Sequence, residues 1–193
     1  MRSISHSVGN TLQRGFTLVE LLIVVIILAI LAAIVIPQFS GATIDAQESA
    51  LDSNLSTMRS AIELYRIQHG SKYPGAMTSV GISTCGSGTA STASNAEGYL
   101  RDQLSQYSDV SGKTCSGPGT VTPLGPYLRK GIPAEPISGS SAIMVLSTGA
   151  PLTATGKVSD KTSVGGWKYD ILSGQIIANN SDNDSKGVPY SSR

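Results

Sequence analysis

Glu20 is the side chain whose chemistry is hardest to explain away. It is the only ionisable residue between Phe16 and Ile36, a 21-residue run in which Thr17 is the one other polar side chain. A carboxylate immersed in lipid costs ~2.5–3.5 kcal/mol on insertion scales, so an acid in such a run marks a function by default. Two desolvated charges are tolerated in apolar surroundings only as a pair, so the chemistry open to Glu20 is capture of a cation. Three further groups could do chemistry. Cys85 and Cys115 are the two thiols of the chain. Asp182, Asp184 and Gly187 stand at relative positions 1, 3 and 6 of a calcium-loop pattern, but Lys186 takes the fifth position and no Glu closes the loop. His69 precedes Gly70 at the end of a helical pattern, where it reads as a dipole-compensating cap with no partner in view. No nucleophile–base set, paired catalytic carboxylates or phosphate-binding glycine loop is present, and the chain reads as a non-enzyme.

The element that must position Glu20 is the apolar run itself. As a helix, 21 residues reach about 31 Å, close to the ~30 Å hydrocarbon core of a bilayer. Arg2 and Arg14 lie in the short polar leader ahead of it. That basic side is expected to stay in the cytoplasm, which sends everything after Pro37 across the membrane. The run is too long for an ordinary secretory signal and no Ala-x-Ala closes it; the small residue, Gly15, stands in front instead.

Gly15-Phe16-Thr17-Leu18-Val19-Glu20 followed by an apolar run to Pro37 resembles the class III signal of type IV pilins and type II secretion pseudopilins. The resemblance implies cleavage between Gly15 and Phe16 by a prepilin peptidase and N-methylation of the new Phe16 amine. It also implies that Glu20 neutralises the Phe16 amine of a neighbouring subunit during filament assembly. Glu20 is one helical turn from Phe16, so the amine of its own chain is in reach before assembly. A plain single-pass anchor with an incidental Glu near the interface is the competing reading.

Pro37 and Gly41 interrupt the helical pattern without ending it, and a kink or a locally melted turn is expected there. Ile44, Leu51, Leu55, Met58, Ile62 and Tyr65 then form one stripe of an amphipathic helix. Asp45, Glu48 and Asp52 precede Arg59 and Arg66, the order that suits a helix dipole. Gly70 is the expected stop, with Pro74 beyond it. Gln68 to Pro74 resembles the helix exit of pseudopilins. Residues 75–94 read as a loop. A short helix should follow, capped by Asn95, with Leu100, Leu104 and Tyr107 on one face. Residues 126–136 form a proline-punctuated crossing segment that resembles the pseudopilin stretch leading into the sheet. Residues 142–148 read as a strand and 149–165 as loop. The runs 166–172 and 175–179 flank Ser173-Gly174 as a hairpin, resembling the Gly-Trp hairpin of pseudopilins. The expected fold is α+β and pilin-like, with a long N-terminal helix, kinked near Pro37, packed on a small C-terminal antiparallel sheet. Its parts are a leader over 1–15, a transmembrane and filament-core helix over 16–41, and a periplasmic or extracellular domain over 42–193 with a flexible tail over 180–193.

Outside the cytoplasm, Cys85 and Cys115 are most simply a disulfide. Closing a loop of about 30 residues stabilises by ~3–4 kcal/mol in the chain-entropy estimate. This departs from the pilin pattern, in which the disulfide closes a loop nearer the C-terminus. Major pseudopilins bind calcium in a C-terminal loop, so the resemblance offers Asp182 and Asp184 as weak calcium ligands; a solvated, mobile tail is the other account, and no other cofactor is expected. Without Arg2 and Arg14 there are 12 basic and 13 acidic side chains, a net charge of −1, which is no footprint for nucleic acid.

The expected function is that of a structural filament subunit waiting in a bacterial inner membrane. The first version is a type II secretion pseudopilin that polymerises into a periplasmic pseudopilus for protein export. The second is a pilin of a surface type IV pilus serving adhesion, twitching or DNA uptake. A membrane-tethered binding protein that never polymerises is the reading of another class. The expected partners are other pilins or pseudopilins in a helical filament, the prepilin peptidase, an inner-membrane assembly platform and the lipid bilayer.

Overall fold

A computed structural model describes residues 15–80, 85–86, 88–159 and 166–193, with the backbone alone over 37–40. The residues ahead of Gly15, Arg2 and Arg14 among them, lie outside this description. The chain divides into two units between Thr43 and Ile44.

Helix α1 is assigned over Leu18–Gln68. It starts where Thr17 supplies a cap and stops in a left-handed turn. Gly70 and Ser71 have φ of 63° and 65°, and the Ser71 N–H returns to the Arg66 carbonyl at 2.9 Å. That is a Schellman closure, with Gly70 at the position that most needs to lack a Cβ. The helical assignment runs through Pro37 and Gly41 without a gap. Asp45, Glu48 and Asp52 therefore sit far inside α1 rather than in its first turn, so the dipole reading of those acids is corrected. The macrodipole acts within a turn of the end.

In the unit beginning at Ile44, the expected stripe is the core face. Leu51, Leu55, Met58, Ile62 and Tyr65 are buried, and only Ile44, at 41% exposure, is not. They pack on Leu100 and Leu104 of helix α2 (Ala96–Ser105) and on Ile143, Trp167, Tyr169 and Ile176 of the sheet. Each fully buried side chain of this size contributes ~1.5–3 kcal/mol relative to exposure. Asn95 caps α2 by accepting from the Gly98 N–H at 2.8 Å. The helix ends before Tyr107, which leaves the expected helical face and opens β1 (Tyr107–Ser108), paired antiparallel with β2 (Thr114–Cys115).

The main sheet has three strands in the order β3 (Ile143–Leu146), β4 (Trp167–Asp170), β5 (Ile176–Ala178). β4 and β5 form the expected hairpin, antiparallel, with Trp167 opposite Ala178. The Asp170 carboxylate closes its turn, accepting from Ser173 N–H and Oγ at 3.2 and 2.9 Å. Gly174 has φ of 70°, and a Cβ there would lie 2.2 Å from the Tyr73 ring. β3 differs from expectation, because it joins β4 in parallel, with Ile143 opposite Trp167. A parallel pair needs a crossover of about a dozen residues or more, and the stretch between β3 and β4 is long enough to provide one. The sheet is mixed for that reason. All four β4 residues are buried, Lys168 by donating to the Thr153 carbonyl at 2.8 Å and Thr155 Oγ1 at 3.0 Å.

Candidate functional site

Residues 15–17 have no regular structure and the helix begins at Leu18, so the Gly15–Phe16 bond lies on exposed, non-helical chain. Phe16 is 82% exposed, and nothing approaches Gly15 within 4 Å of where a Cβ would stand. This is chain that a protease cleft can take in extended form.

Glu20 is held locally. Its Oε2 accepts from the Thr17 N–H at 2.9 Å and from Thr17 Oγ1 at 2.7 Å, while the Glu20 N–H donates to Thr17 Oγ1 at 3.2 Å. This is a reciprocal capping box, and Thr17-x-x-Glu20 ahead of an apolar run is its sequence signature. Reading Glu20 only as a cation-seeker overlooked that signal. The carboxylate is satisfied by its own helix end, and it is in none of the ion pairs among the described residues. Beyond it every large apolar side chain from Phe16 to Ile36 is exposed, between 42% and 82%. The helix is long and apolar enough to cross a membrane, and an apolar surface on all sides is what an anchor in lipid or a bundle of like helices requires.

Cys85 and Cys115 are joined as expected, with Cα atoms 5.9 Å apart. Cys115 is buried in β2 and Cys85 is half-buried, so the bridge ties the 85–90 loop to the small hairpin.

The segment expected as a solvated tail, 180–193, is packed instead. Asn180 and Tyr190 are buried, and Arg193 reaches three carboxylates. It meets Glu48 at 3.4 Å, Asp52 at 2.9 Å and Asp184 at 2.5 Å. Glu48 also accepts from Ser185 N–H at 2.7 Å, Ser185 Oγ at 3.0 Å and Tyr190 Oη at 3.3 Å. The Ser185 amide, followed by the Ser185 hydroxyl and then the Arg193 charge, holds the Glu48 carboxyl below the usual range despite its burial. This acid was missed as a docking point, although its place between Ile44 and Leu51 put it on the stripe.

Asp182 and Asp184 do not act together. Asp182 accepts from Ser159 N–H at 2.8 Å and Ser159 Oγ at 2.7 Å, whereas Asp184 pairs with Arg193 and closes its own turn through Lys186 and Val188 N–H. Among the described residues no group of three or more His, Cys, Asp or Glu is placed to hold a metal. The oxygens of these two acids are taken by protein donors in two separate networks.

His69 is likewise not a solvated cap. It is buried, stacked on Tyr65 at 3.7 Å, with Nδ1 2.9 Å from the Tyr65 carbonyl and Nε2 3.1 Å from Ser108 Oγ. The carbonyl can only accept, so Nδ1 carries the proton and Ser108 donates to Nε2. Burial pushes the imidazole below its ordinary pKa, so it is neutral and compensates no dipole. A serine beside a neutral histidine has the form of a nucleophile and its base, but both are sealed from solvent and the imidazole is oriented by a carbonyl rather than a carboxylate.

Comparison with known proteins bears on the N-terminal segment most directly. Residues 10–36 match the prokaryotic N-terminal methylation motif. A fimbrial protein of Neisseria meningitidis serogroup B is 44% identical over 75 residues, 39% of this chain and 44% of that protein. A type IV major fimbrial protein FimA of Dichelobacter nodosus is 52% identical over 54 residues, 28% of this chain and 35% of that protein. A type II secretion system core protein G of Klebsiella michiganensis is 37% identical over 62 residues, 32% of this chain and 43% of that protein. No solved structure matches the chain. The chain thus carries a prokaryotic N-terminal methylation motif and is similar, over less than half the length of each of these curated relatives, to type IV fimbrial proteins and to a type II secretion core protein.

Proposed function

We propose that this chain is a structural subunit of a type IV-like filament, anchored in a bacterial inner membrane by residues 16–36 until it is assembled. One observation carries the reading: an accessible Gly15–Phe16 bond stands directly before a helix that is apolar on every side and holds a single acid, Glu20. A prepilin peptidase opens that bond and the new Phe16 amine is methylated. Cleavage leaves the Thr17–Glu20 box at the very start of the mature helix. Moving the helix from lipid into a bundle keeps its apolar sides dry, and Glu20 then exchanges its Thr17 donors for the Phe16 amine of a neighbour. That exchange is favourable because a desolvated carboxylate gains more from a cation than from neutral donors. The N-terminus faces the cytoplasm and the unit from Ile44 onward faces the other side. Pro37 and Gly41 supply the place where the helix yields as the subunit leaves the bilayer.

The pseudopilus for protein export is the reading favoured by the Gly-Trp hairpin and the helix exit. The fimbrial relatives favour a surface pilus instead. Intact mass and N-terminal sequencing of the chain from its host, with and without the prepilin peptidase, test the filament reading. It expects a mature chain starting at methylated Phe16 only when the peptidase is present. A chain still starting at Met1, or cut beyond Pro37, overturns it in favour of a tethered binding domain. Deleting the host's type II secretion system then separates the two versions: a pseudopilin loses its filament, a surface pilin keeps it.

A further inference from the structure

A groove runs along one flank of α1 in the unit beginning at Ile44. Thr57, Ala61 and Leu64 line one recess of about 380 Å³ with Tyr127, and Asn54 and Thr57 line a second of about 280 Å³ with Tyr127 and Pro133. The two recesses share Thr57 and Tyr127. Their lining is largely apolar or neutral, and Leu64 lies 48% exposed within it. Arg129 and Lys130 stand exposed at the rim, in none of the ion pairs among the described residues, and no acid lines either recess.

The opposite flank of the same helix carries one more acid than base. Asp45 lies nine positions before Asn54, and Asp52 nine before Ala61. At about 100° per residue, nine positions place the members of each pair on opposite sides. There, among the described residues, Asp45, Glu48, Asp52 and Asp184 stand with three cations, Arg59, Lys186 and Arg193. Asp45 is exposed and in none of the ion pairs among the described residues, and beside it is Ile44, the stripe residue that no core covers.

We infer that these flanks are the two halves of one contact between copies of this chain: the Ile44–Asp45 edge of one copy seats in the groove beneath Arg129 and Lys130 of the next. Apolar surface meets apolar surface, and an unpaired acid meets unpaired bases. The halves lie on opposite sides of one helix, so the contact is heterologous. A pair of copies leaves one half free at each end, and the contact propagates instead of closing. The inference rests on the filament reading and names a lateral contact for it.

The test uses the full chain in its host, carrying Asp45→Cys and Lys130→Cys together, with each single variant as control. Oxidation should give a ladder of dimers, trimers and longer species from the double variant, with peptides joined through positions 45 and 130. Co-expressed single variants should stop at dimers. In a second arm, Arg129→Glu with Lys130→Glu should lower the yield of sheared filaments several-fold, and adding Asp45→Lys should restore it. Filaments without a ladder, and charge reversals without effect, overturn the contact while leaving the filament reading intact. Loss on reversal that Asp45→Lys does not repair also overturns it, since the groove then receives another partner. If the unmodified chain makes no filament, the filament reading fails, and the contact with it.

Discussion

From Leu18 to Ile36 the large apolar side chains of α1 occupy every side and all are exposed, whereas the stripe Leu51, Leu55, Met58, Ile62 and Tyr65 recurs at spacings of three and four and is buried. One helical assignment covers nearly all of both stretches, so backbone geometry is not what separates them. The difference lies in where the apolar surface finds a partner. A stripe can be covered by the chain's own sheet, as Trp167 and Tyr169 cover the second stretch. A surface that is apolar all round cannot be covered by so small a domain and must look outside, to lipid or to other copies. The two acids follow the same division. Glu20 is satisfied by Thr17, three residues away, while Glu48 is satisfied by donors more than a hundred residues along the chain.

The sharpest way to break this comparison is to change an acid in one stretch and read the other. Glu20→Ala should reduce sheared filaments to near background while leaving the thermal unfolding of the detergent-solubilised chain unchanged. Filaments at the normal level would remove Glu20 from assembly. Trp167→Ala should do the reverse, costing ~3–5 kcal/mol of stability through lost burial and a cavity. It also removes the bond from the indole N–H to the Pro133 carbonyl at 2.8 Å. Chemical denaturation checks it, and a cost below that range would mean the second stretch is not held by the sheet as described. Replacing Cys85 and Cys115 by Ser should cost ~3–4 kcal/mol for a loop of this length, again with no effect on membrane anchoring.

Arg193→Gln should act locally. The amides of Asp184, Ser185 and Tyr190 should lose protection from hydrogen exchange while those of β4 and β5 keep theirs. Uniform loss would show that 180–193 is part of the cooperative core rather than a docked strap. The smallest expected effect is that of pH. Burial holds His69 neutral, and hydrogen-bond donors and Arg193 hold Glu48 and Asp184 below the usual carboxylate range. In each case the unfolded chain binds more protons on acidification, so stability rises with pH. A first loss should begin as pH falls through ~6.5, where an unfolded histidine protonates, and a second near ~4, where unfolded carboxylates do. Tm measured against pH should show both steps, and His69→Gln should remove only the upper one.

Much of the architecture was legible from local pattern. The stripe, the Gly70 stop, the Asn95 cap and the turn at Ser173-Gly174 are each written in neighbouring residues, because hydrogen-bond closure over three to five positions decides them. The apolar run and its single acid were legible for the same reason, as was the Thr17-x-x-Glu20 box, whose signal was present though unread. Charge order was a poorer guide: Asp45, Glu48 and Asp52 looked like first-turn acids because Pro37 and Gly41 read as a break, whereas the helix runs on through them.

What the residues determine by themselves, then, is each element and the surface it must hide, since period, caps and breakers act within a turn or two. Only the tertiary structure decided which donors those surfaces would meet. It put β3 parallel to β4, closed His69 against Ser108, and turned 180–193 from an apparent acidic tail into a strap held on Glu48 and Asp52 by Arg193. Those outcomes join groups 24 to 145 residues apart. At such separations a carboxylate reads the same whether it is destined for water, a metal or a guanidinium, and only the packed chain distinguishes them.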